Sequence, residues 1–298
     1  MQIGIDLGAT KIESVLLDKE GKELLREREK SPQDYHKTLT SIKDIVNKIE
    51  KKYNNKFNVG VGHPGSIPSD TGLLKNANNS PWMNNKPFQK DISKLLDRTI
   101  YCENDANCFA LSEAKDGSAS HYKIVYGIIL GSGCGGGLVI DKKIISGINN
   151  LSGEWGHNPL PYYGINENMN VFQSALVPNI SIEKFVSGKG LEALFHENYK
   201  KKITTKEIFS KKKENSQFIN DFLNRLARSL SILINIIDPD AIVFGGGVSN
   251  EIENLDLLKN MAGNFAGKKN IKTSFIKPKF GDASGVRGAA ILGRDTIY

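Results

Sequence analysis

The chain has 298 residues, 39% of them hydrophobic, enough to bury a full core in each of two lobes and too long for a disulfide-stapled miniprotein. Its formal charge of +7 comes largely from lysine clusters such as Lys200-Lys201-Lys202 and Lys211-Lys212-Lys213, which lack the interleaved aromatics of a nucleic-acid platform, so no nucleic-acid partner is expected. The three cysteines, Cys102, Cys108 and Cys134, form no C-x-x-C pair, and neither a signal-like N-terminus nor an apolar run of ~18 residues is present; a cytoplasmic protein without a membrane span is expected.

In chain order, Ile3-Gly4-Ile5-Asp6-Leu7-Gly8-Ala9-Thr10-Lys11, followed by Ile12 to Asp18, predicts a strand, a glycine turn and a second strand. A helix is predicted over Tyr35 to Lys52, a strand over Phe57 to Gly62, a strand over Thr99 to Glu103 and a helix over Ala106 to Lys115. The segment Tyr126 to Asp141 repeats the opening layout: at a constant offset Gly4 falls on Gly127, Ile5 on Ile128, Leu7 on Leu130, Gly8 on Gly131 and Asp18 on Asp141. Chance matches rarely keep both the glycines and the strand alternation, so the register implies an internal duplication and two similar lobes.

Further on, Phe218, Phe222, Leu226, Leu230, Leu233 and Ile237 keep helical spacing up to Asp238-Pro239, which predicts a long core-facing helix. Ala241 to Phe244 reads as a short strand entering Gly245-Gly246-Gly247, with Ser249 and Asn250 as helix caps beyond it. The class is α/β. The lobe boundary is placed near Asp116-Gly117-Ser118, giving lobes of 1–116 and 117–284, with a final helix from Gly285 to Arg294 returning to the first.

Both glycine turns suit phosphate. At Gly8-Ala9-Thr10 and Gly131-Ser132-Gly133 the small side chains let backbone N–H groups approach phosphate oxygens, and the hydroxyls of Thr10 and Ser132 add donors. Neither turn has the Walker pattern, and neither precedes a helix as a dinucleotide fingerprint must. Asp6, on the first strand, is placed to organise hydrated magnesium, whereas its counterpart in the second hairpin is Ile129. Gly245-Gly246-Gly247 offers a flat floor for adenine or ribose. The alternative for each hairpin is a plain turn.

Glu103-Asn104-Asp105-Ala106-Asn107-Cys108 lies where a strand meets a helix, the edge at which open α/β sheets hold ligands. Two readings stand for Asp105: a base accepting a proton from an attacking hydroxyl, or a helix cap, a role Asn104 would also fill. Gly153-Glu154-Trp155-Gly156-His157 brings a carboxylate and an imidazole around a loop glycine, either of which can bridge sugar hydroxyls, although a lone His is more often structural.

Together with Gly62-His63-Pro64-Gly65, Leu130-Gly131-Ser132-Gly133 and Val243-Phe244-Gly245-Gly246-Gly247, these motifs stand in the order and spacing of the ROK sugar kinases, which the chain resembles over nearly its whole length. Lys75-Asn76-Ala77-Asn78, Trp82 and the stretch Gly281 to Ala290 resemble the fructokinase and mannokinase branch. The resemblance implies a two-lobed actin-like ATPase (ribonuclease H-like) fold and transfer of the ATP γ-phosphoryl group to the 6-hydroxyl of a hexose, fructose or mannose first. The alternatives are an N-acetylhexosamine kinase or glucokinase and, in another class, a non-catalytic sugar-sensing regulator or a filament-forming ATPase.

The resemblance makes Asp105 the catalytic base and gives the sugar to Gly65, Asn78, Asn104, Glu154, His157 and Glu183. ATP and magnesium go to Asp6, Gly8, Ala9, Thr10, Lys11, Gly131, Ser132, Gly133, Gly135 and Gly245 to Gly247, and the assembly is expected to be a homodimer. Many members hold structural zinc with the histidine and three cysteines of a C-x-C-G-x-x-G-C-x-E motif. Counting back from Glu183, those positions here hold Ser174, Leu176 and Ser181, so no structural zinc is expected and packing by Phe172, Leu176, Val177 and Ile180 is expected to hold the loop.

Overall fold

A computed structural model of the chain describes residues 1–162 and 180–295; the expected loop packing by Phe172, Leu176 and Val177, and the substituted positions 174 and 176, lie outside them. The first half runs β1 (Gln2–Leu7), β2 (Lys11–Leu17), β3 (Glu23–Lys30), α1 (Tyr35–Tyr53), β4 (Asn58–His63), α2 (Phe88–Leu96), β5 (Tyr101–Asn104) and α3 (Asp105–Lys115). The second runs β6 (Ile124–Leu130), β7 (Cys134–Ile140), β8 (Lys143–Ile144), α4 (Ile182–Val186), α5 (Gly188–Tyr199), α6 (Thr205–Ser210), α7 (Ser216–Ile237), β9 (Ala241–Gly245), α8 (Gly247–Asn250), α9 (Leu255–Phe265), β10 (Ser274–Ile276) and α10 (Ser284–Asp295).

The two sheets repeat one topology. The first is ordered β3-β2-β1-β4-β5 and the second, read from its corresponding edge, β8-β7-β6-β9-β10. In each, an antiparallel hairpin (β1 with β2, β6 with β7) is followed by two parallel additions. This is the duplicated two-lobed α/β fold expected from the glycine register.

Local chemistry explains the elements. β1 is buried along most of its length; Ile3, Ile5 and Leu7 point to the first-lobe core, and Gly4 on the other face admits the backbone of α10. β3 is an edge strand and carries Glu23, Arg26, Glu27, Arg28, Glu29 and Lys30, charges that keep a free edge from pairing with another chain. The Asp34 side chain caps α1 by accepting from the Lys37 N–H at 2.8 Å, and Leu39, Ile42, Val46 and Ile49 line its buried face. α7 ends as expected at Asp238, in a left-handed conformation just before Pro239.

One local expectation fails. Ser249 and Asn250 cap nothing, because α8 already begins at Gly247 and contains both. Gly246, at φ +86°, turns β9 straight into α8, and a side chain there would run into the Leu130 backbone. The cap used downstream is Asn254, whose side chain accepts from Leu257 N–H to start α9.

Two helices join the lobes. α3 leaves the first sheet but packs on β6 and β7, while α10 follows the second sheet and packs on β1 and β4. Their contact is close, since a side chain at Gly288 would strike the Cys108 backbone. The backbone therefore crosses between the sheets at 116–123 and again at 277–283. Among the described residues no helix is long and apolar enough to span a membrane.

Candidate active site

Parallel strands end at one edge, and the site is built there. The first lobe presents Gly8 after β1, Gly65 beyond β4 and Asn104 with Asp105 where β5 meets α3; the second presents Gly131 after β6 and Gly245 to Gly247 where β9 meets α8. This is the edge at which α/β sheets gather ligands, because the helices that follow the strands point their N-termini outward there.

Asn104 is the N-cap of α3: its Oδ1 accepts from Ala106 N–H at 2.9 Å while its Nδ2 donates to the Gly65 carbonyl at 2.9 Å. Gly65 stands at φ +77°, and a Cβ would meet the backbone of Lys75, so the position belongs to glycine. Asp105, the first residue of α3, also accepts from Ala106 N–H at 2.8 Å but leaves its carboxylate exposed to the cleft. The cap reading holds for Asn104, which caps the helix, and Asp105 faces the cleft. Desolvation by the cleft walls, helped by Glu154, pushes the Asp105 carboxyl up to about 6.

Asp6 lies between Gly62 and Gly285, where added Cβ atoms would stand 3.6 and 3.5 Å from its carboxylate oxygens. Among the described residues no hydrogen-bond donor reaches it. Burial first, then the charges of Asp105 and Glu13, push it up to about 7. Glu13, paired across the hairpin with Asp6, is held by Arg26 and by Arg28 at 2.8 Å, so those cations are already committed. An unmatched carboxylate in an acidic cleft is what a divalent cation would compensate. No group of three or more His, Cys, Asp or Glu stands ready to hold a metal among the described residues; magnesium does not need one, since it keeps several waters and takes one or two carboxylates plus phosphates.

Beside Gly65 and Asn104 lies a polar cavity of about 70 Å³ lined also by His63, Glu103, Asn107, Asn150 and Glu154. Glu103 accepts from Asn107 Nδ2 at 3.1 Å and from Ser146 Oγ at 3.1 Å, and Asn150 Nδ2 donates to the Ile67 carbonyl at 2.9 Å, so the loop after β8 reaches across the cleft to the first lobe. Buried His63 has its ring Nδ1 3.1 Å from the Pro64 carbonyl, and burial lowers its pKa, which keeps the imidazole neutral. His157 is exposed, with Nδ1 3.3 Å from Glu154 Oε2. Glu183 does not line this cavity: its carboxylate accepts from Cys134 N–H at 2.9 Å, bracing the second glycine turn. Asn78 is exposed and likewise outside the lining, and Trp82 packs on the first-lobe core. His63, Glu103, Ser146 and Asn150 were not singled out from the sequence, although Glu103 immediately precedes the Asn104-Asp105 pair.

A second cavity, of about 650 Å³, lies wholly in the second lobe between Gly131, Ser132, Lys189, Thr205, Gly247 and Asn250. An added Cβ at Gly131 or Gly247 would meet nothing within 4 Å, and neither has a left-handed φ. Nothing within the described fold requires glycine at these two positions, and their backbone stands open to close approach from the cavity. Gly245 faces Phe109 and Gly133 lies close to Glu183, and these two are glycines for packing. In the first turn Gly8 N–H donates to the Lys11 carbonyl at 2.9 Å, while Thr10 and Lys11 are exposed and Ala9 is half-buried. Gly131→Val is accordingly expected to fold normally and to weaken nucleotide binding about tenfold or more, as steric loss of backbone contacts would. Calorimetric titration with ADP checks it, and an unchanged affinity in a folded variant would tell against a phosphate role for this turn.

A family model described as the ROK family matches residues 2–296. An N-acetyl-D-glucosamine kinase of Haemophilus influenzae is 36% identical over 305 residues, covering 98% of this chain and 99% of the relative. Among solved structures, a ROK hexokinase from Thermus thermophilus superposes with a TM-score of 0.84 at 21% identity, over 98% of this chain and 97% of its own. A ROK glucokinase from Streptomyces griseus, determined with glucose and AMPPNP, gives 0.77 at 23%, over 98% and 99%.

Proposed function

This chain belongs to the ROK family, and we propose that it is an ATP-dependent kinase that phosphorylates the 6-hydroxyl of a free 2-acetamido hexose, N-acetylglucosamine first. The observation that carries the kinase reading is the meeting of two carboxylates of distinct standing, Asp105 and Asp6, at the strand edge that also ends in two glycine turns. The sugar assignment is supported by the identity to N-acetyl-D-glucosamine kinases over nearly the full chain. It takes precedence over the fructose and mannose reading, whose main residue, Trp82, is spent on core packing.

In this reading the sugar lies against Gly65, Asn104, Glu154 and His157, with its 6-hydroxyl toward Asp105. Asp105 accepts the hydroxyl proton as that oxygen bonds to the γ-phosphorus and the bond from phosphorus to the β–γ bridging oxygen breaks, leaving ADP; the proton then passes to solvent. The turns at Gly8 to Thr10 and Gly131 to Gly133 offer the phosphates the backbone N–H groups not used within the turns, and the 650 Å³ cavity beside Gly247 takes the nucleoside. Asp6 would hold magnesium through water, and the ion supplies charge neutralisation on the transferring phosphoryl group. With no thiolate at 174, 176 or 181, no zinc enters the reading. A division into lobes at residue 116, and a homodimeric assembly, belong to the same proposal.

A panel of hexoses with ATP, read by ADP release, tests it. N-acetylglucosamine is expected to exceed glucose, mannose and fructose in kcat/KM by at least about tenfold, since a pocket built to bond an amide rejects sugars that lack it. Fructose as the best substrate would reverse the sugar assignment, and no turnover with any sugar would remove the kinase assignment.

A further inference from the structure

Glu113 lies in the last turn of α3, fully buried, and no lysine, arginine or histidine pairs with it among the described residues. A charge in that position is costly unless donors surround it. Five do. Ser118 gives its N–H at 2.9 Å and its hydroxyl at 3.1 Å to Oε2, and Lys279 N–H joins them at 3.0 Å; Phe280 N–H at 3.4 Å and Ser284 Oγ at 2.7 Å go to Oε1. A side chain at Gly117 would collide with this carboxylate, so the turn is shaped to admit it.

These donors come from both places where the backbone passes between the lobes. Ser118 belongs to the outward crossing, Lys279 and Phe280 to the return, and Ser284 opens α10 directly after it. A brace lies alongside: Arg287 donates to the Gly21 carbonyl at 2.7 Å, stands 3.5 Å from Asp116 and stacks 3.8 Å over Phe280. Apolar packing would give stability at less cost, so a buried carboxylate with donors from two separate segments points to a fixed geometry rather than to stability.

We propose that Glu113 is the pin of the interlobe hinge and a positioning residue for phosphoryl transfer. α3 carries Asp105 as its first residue, and α10, which starts at Ser284, places Gly285 beside Asp6. Tying Ser284 to Glu113 therefore fixes the helix that holds the base against the helix that walls the metal carboxylate, and makes both crossings bend about one point. Hinges of this kind sit far from the chemistry and act through geometry. The proposal rests on the kinase reading.

Glu113→Gln in the full chain tests it, since the amide nitrogen would face backbone N–H groups where an acceptor is needed. The cavity proposed for the nucleoside lies wholly in the second lobe, so ADP affinity is expected to change less than about twofold while kcat falls about 10- to 10²-fold, the cost of small misplacement of reacting groups. Ser284→Ala, which removes one bond and no charge, is expected to shift kcat the same way by less, and it carries the test if Glu113→Gln does not fold. Hydrogen exchange supplies a readout independent of turnover: amides near 117–119 and 279–285 should speed up together while β1 and β6 stay protected. An unchanged kcat in a folded Glu113→Gln protein, kcat and ADP affinity falling in step, or faster exchange at one crossing alone would each overturn the pin. Absence of turnover in the wild-type protein would count against the kinase reading alone, and the exchange result would still decide the pin.

Discussion

Asp105→Asn is expected to lower kcat by about 10² to 10⁴ while sugar and ATP bind within a small factor of wild type. The asparagine keeps an oxygen for the Ala106 N–H that Asp105 now accepts, and Asn104 still caps α3, so the fold has no reason to change. What is lost is the capacity to take a proton. The pH profile follows from the same group. A base acts only when charged, and cleft desolvation with the Glu154 charge places Asp105 at about 6, so wild-type kcat/KM should fall as the pH drops through that value. Steady-state rates from pH 5 to 8 check both statements. Turnover near wild type in Asp105→Asn would return the residue to the role of a helix cap.

The fold was legible because its signals are local and repeated. Two hairpins with glycine turns at one offset identify the duplication, and the long periodic helix ending before Pro239 needs no tertiary information. The strand-end positions of Asp6, Asn104, Asp105 and Gly131 follow from the same patterns. What escaped is carried by contacts distant in sequence. Ser146 reaches Glu103, and Asn150 reaches Ile67, by hydrogen bonds that no periodicity announces. Glu113 reads as an ordinary polar residue of a helix, because its donors come from segments as far away as Ser284. Glu183 matches a motif position, yet its carboxylate braces Cys134 instead of opening into the polar cavity. Trp82 was read as a mark of the fructokinase and mannokinase branch, and it packs, partly buried, against the first-lobe core. The start of α8 was misplaced because a left-handed glycine can turn a strand into a helix without any capping side chain.

Asp6→Asn should abolish most activity and yet make the protein more stable. The two effects have one origin. The Asp6 carboxylate is largely enclosed, faces the charges of Asp105 and Glu13, and meets no donor among the described residues, so its pKa rises from 3.8 to about 7. A folded-state pKa above the unfolded value means that the native state binds the proton more tightly. Between about pH 4 and pH 7 the slope of stability with pH is then negative: stability is fully present below the unfolded pKa and is lost as the pH rises toward the folded one. At pH 8 the wild type carries this penalty, reduced because the group is partly open to solvent, and asparagine does not. The variant should melt higher at pH 8 by roughly 5 °C, with the gap closing toward pH 4. Its kcat should fall about 10²-fold or more, because asparagine cannot supply the charge that holds hydrated magnesium against the phosphates. Melting curves across pH, paired with rates at saturating magnesium, check both halves. A variant that is less stable at pH 8, or that keeps wild-type turnover, would show that Asp6 is a structural turn residue and not a charge held uncompensated for its ligand.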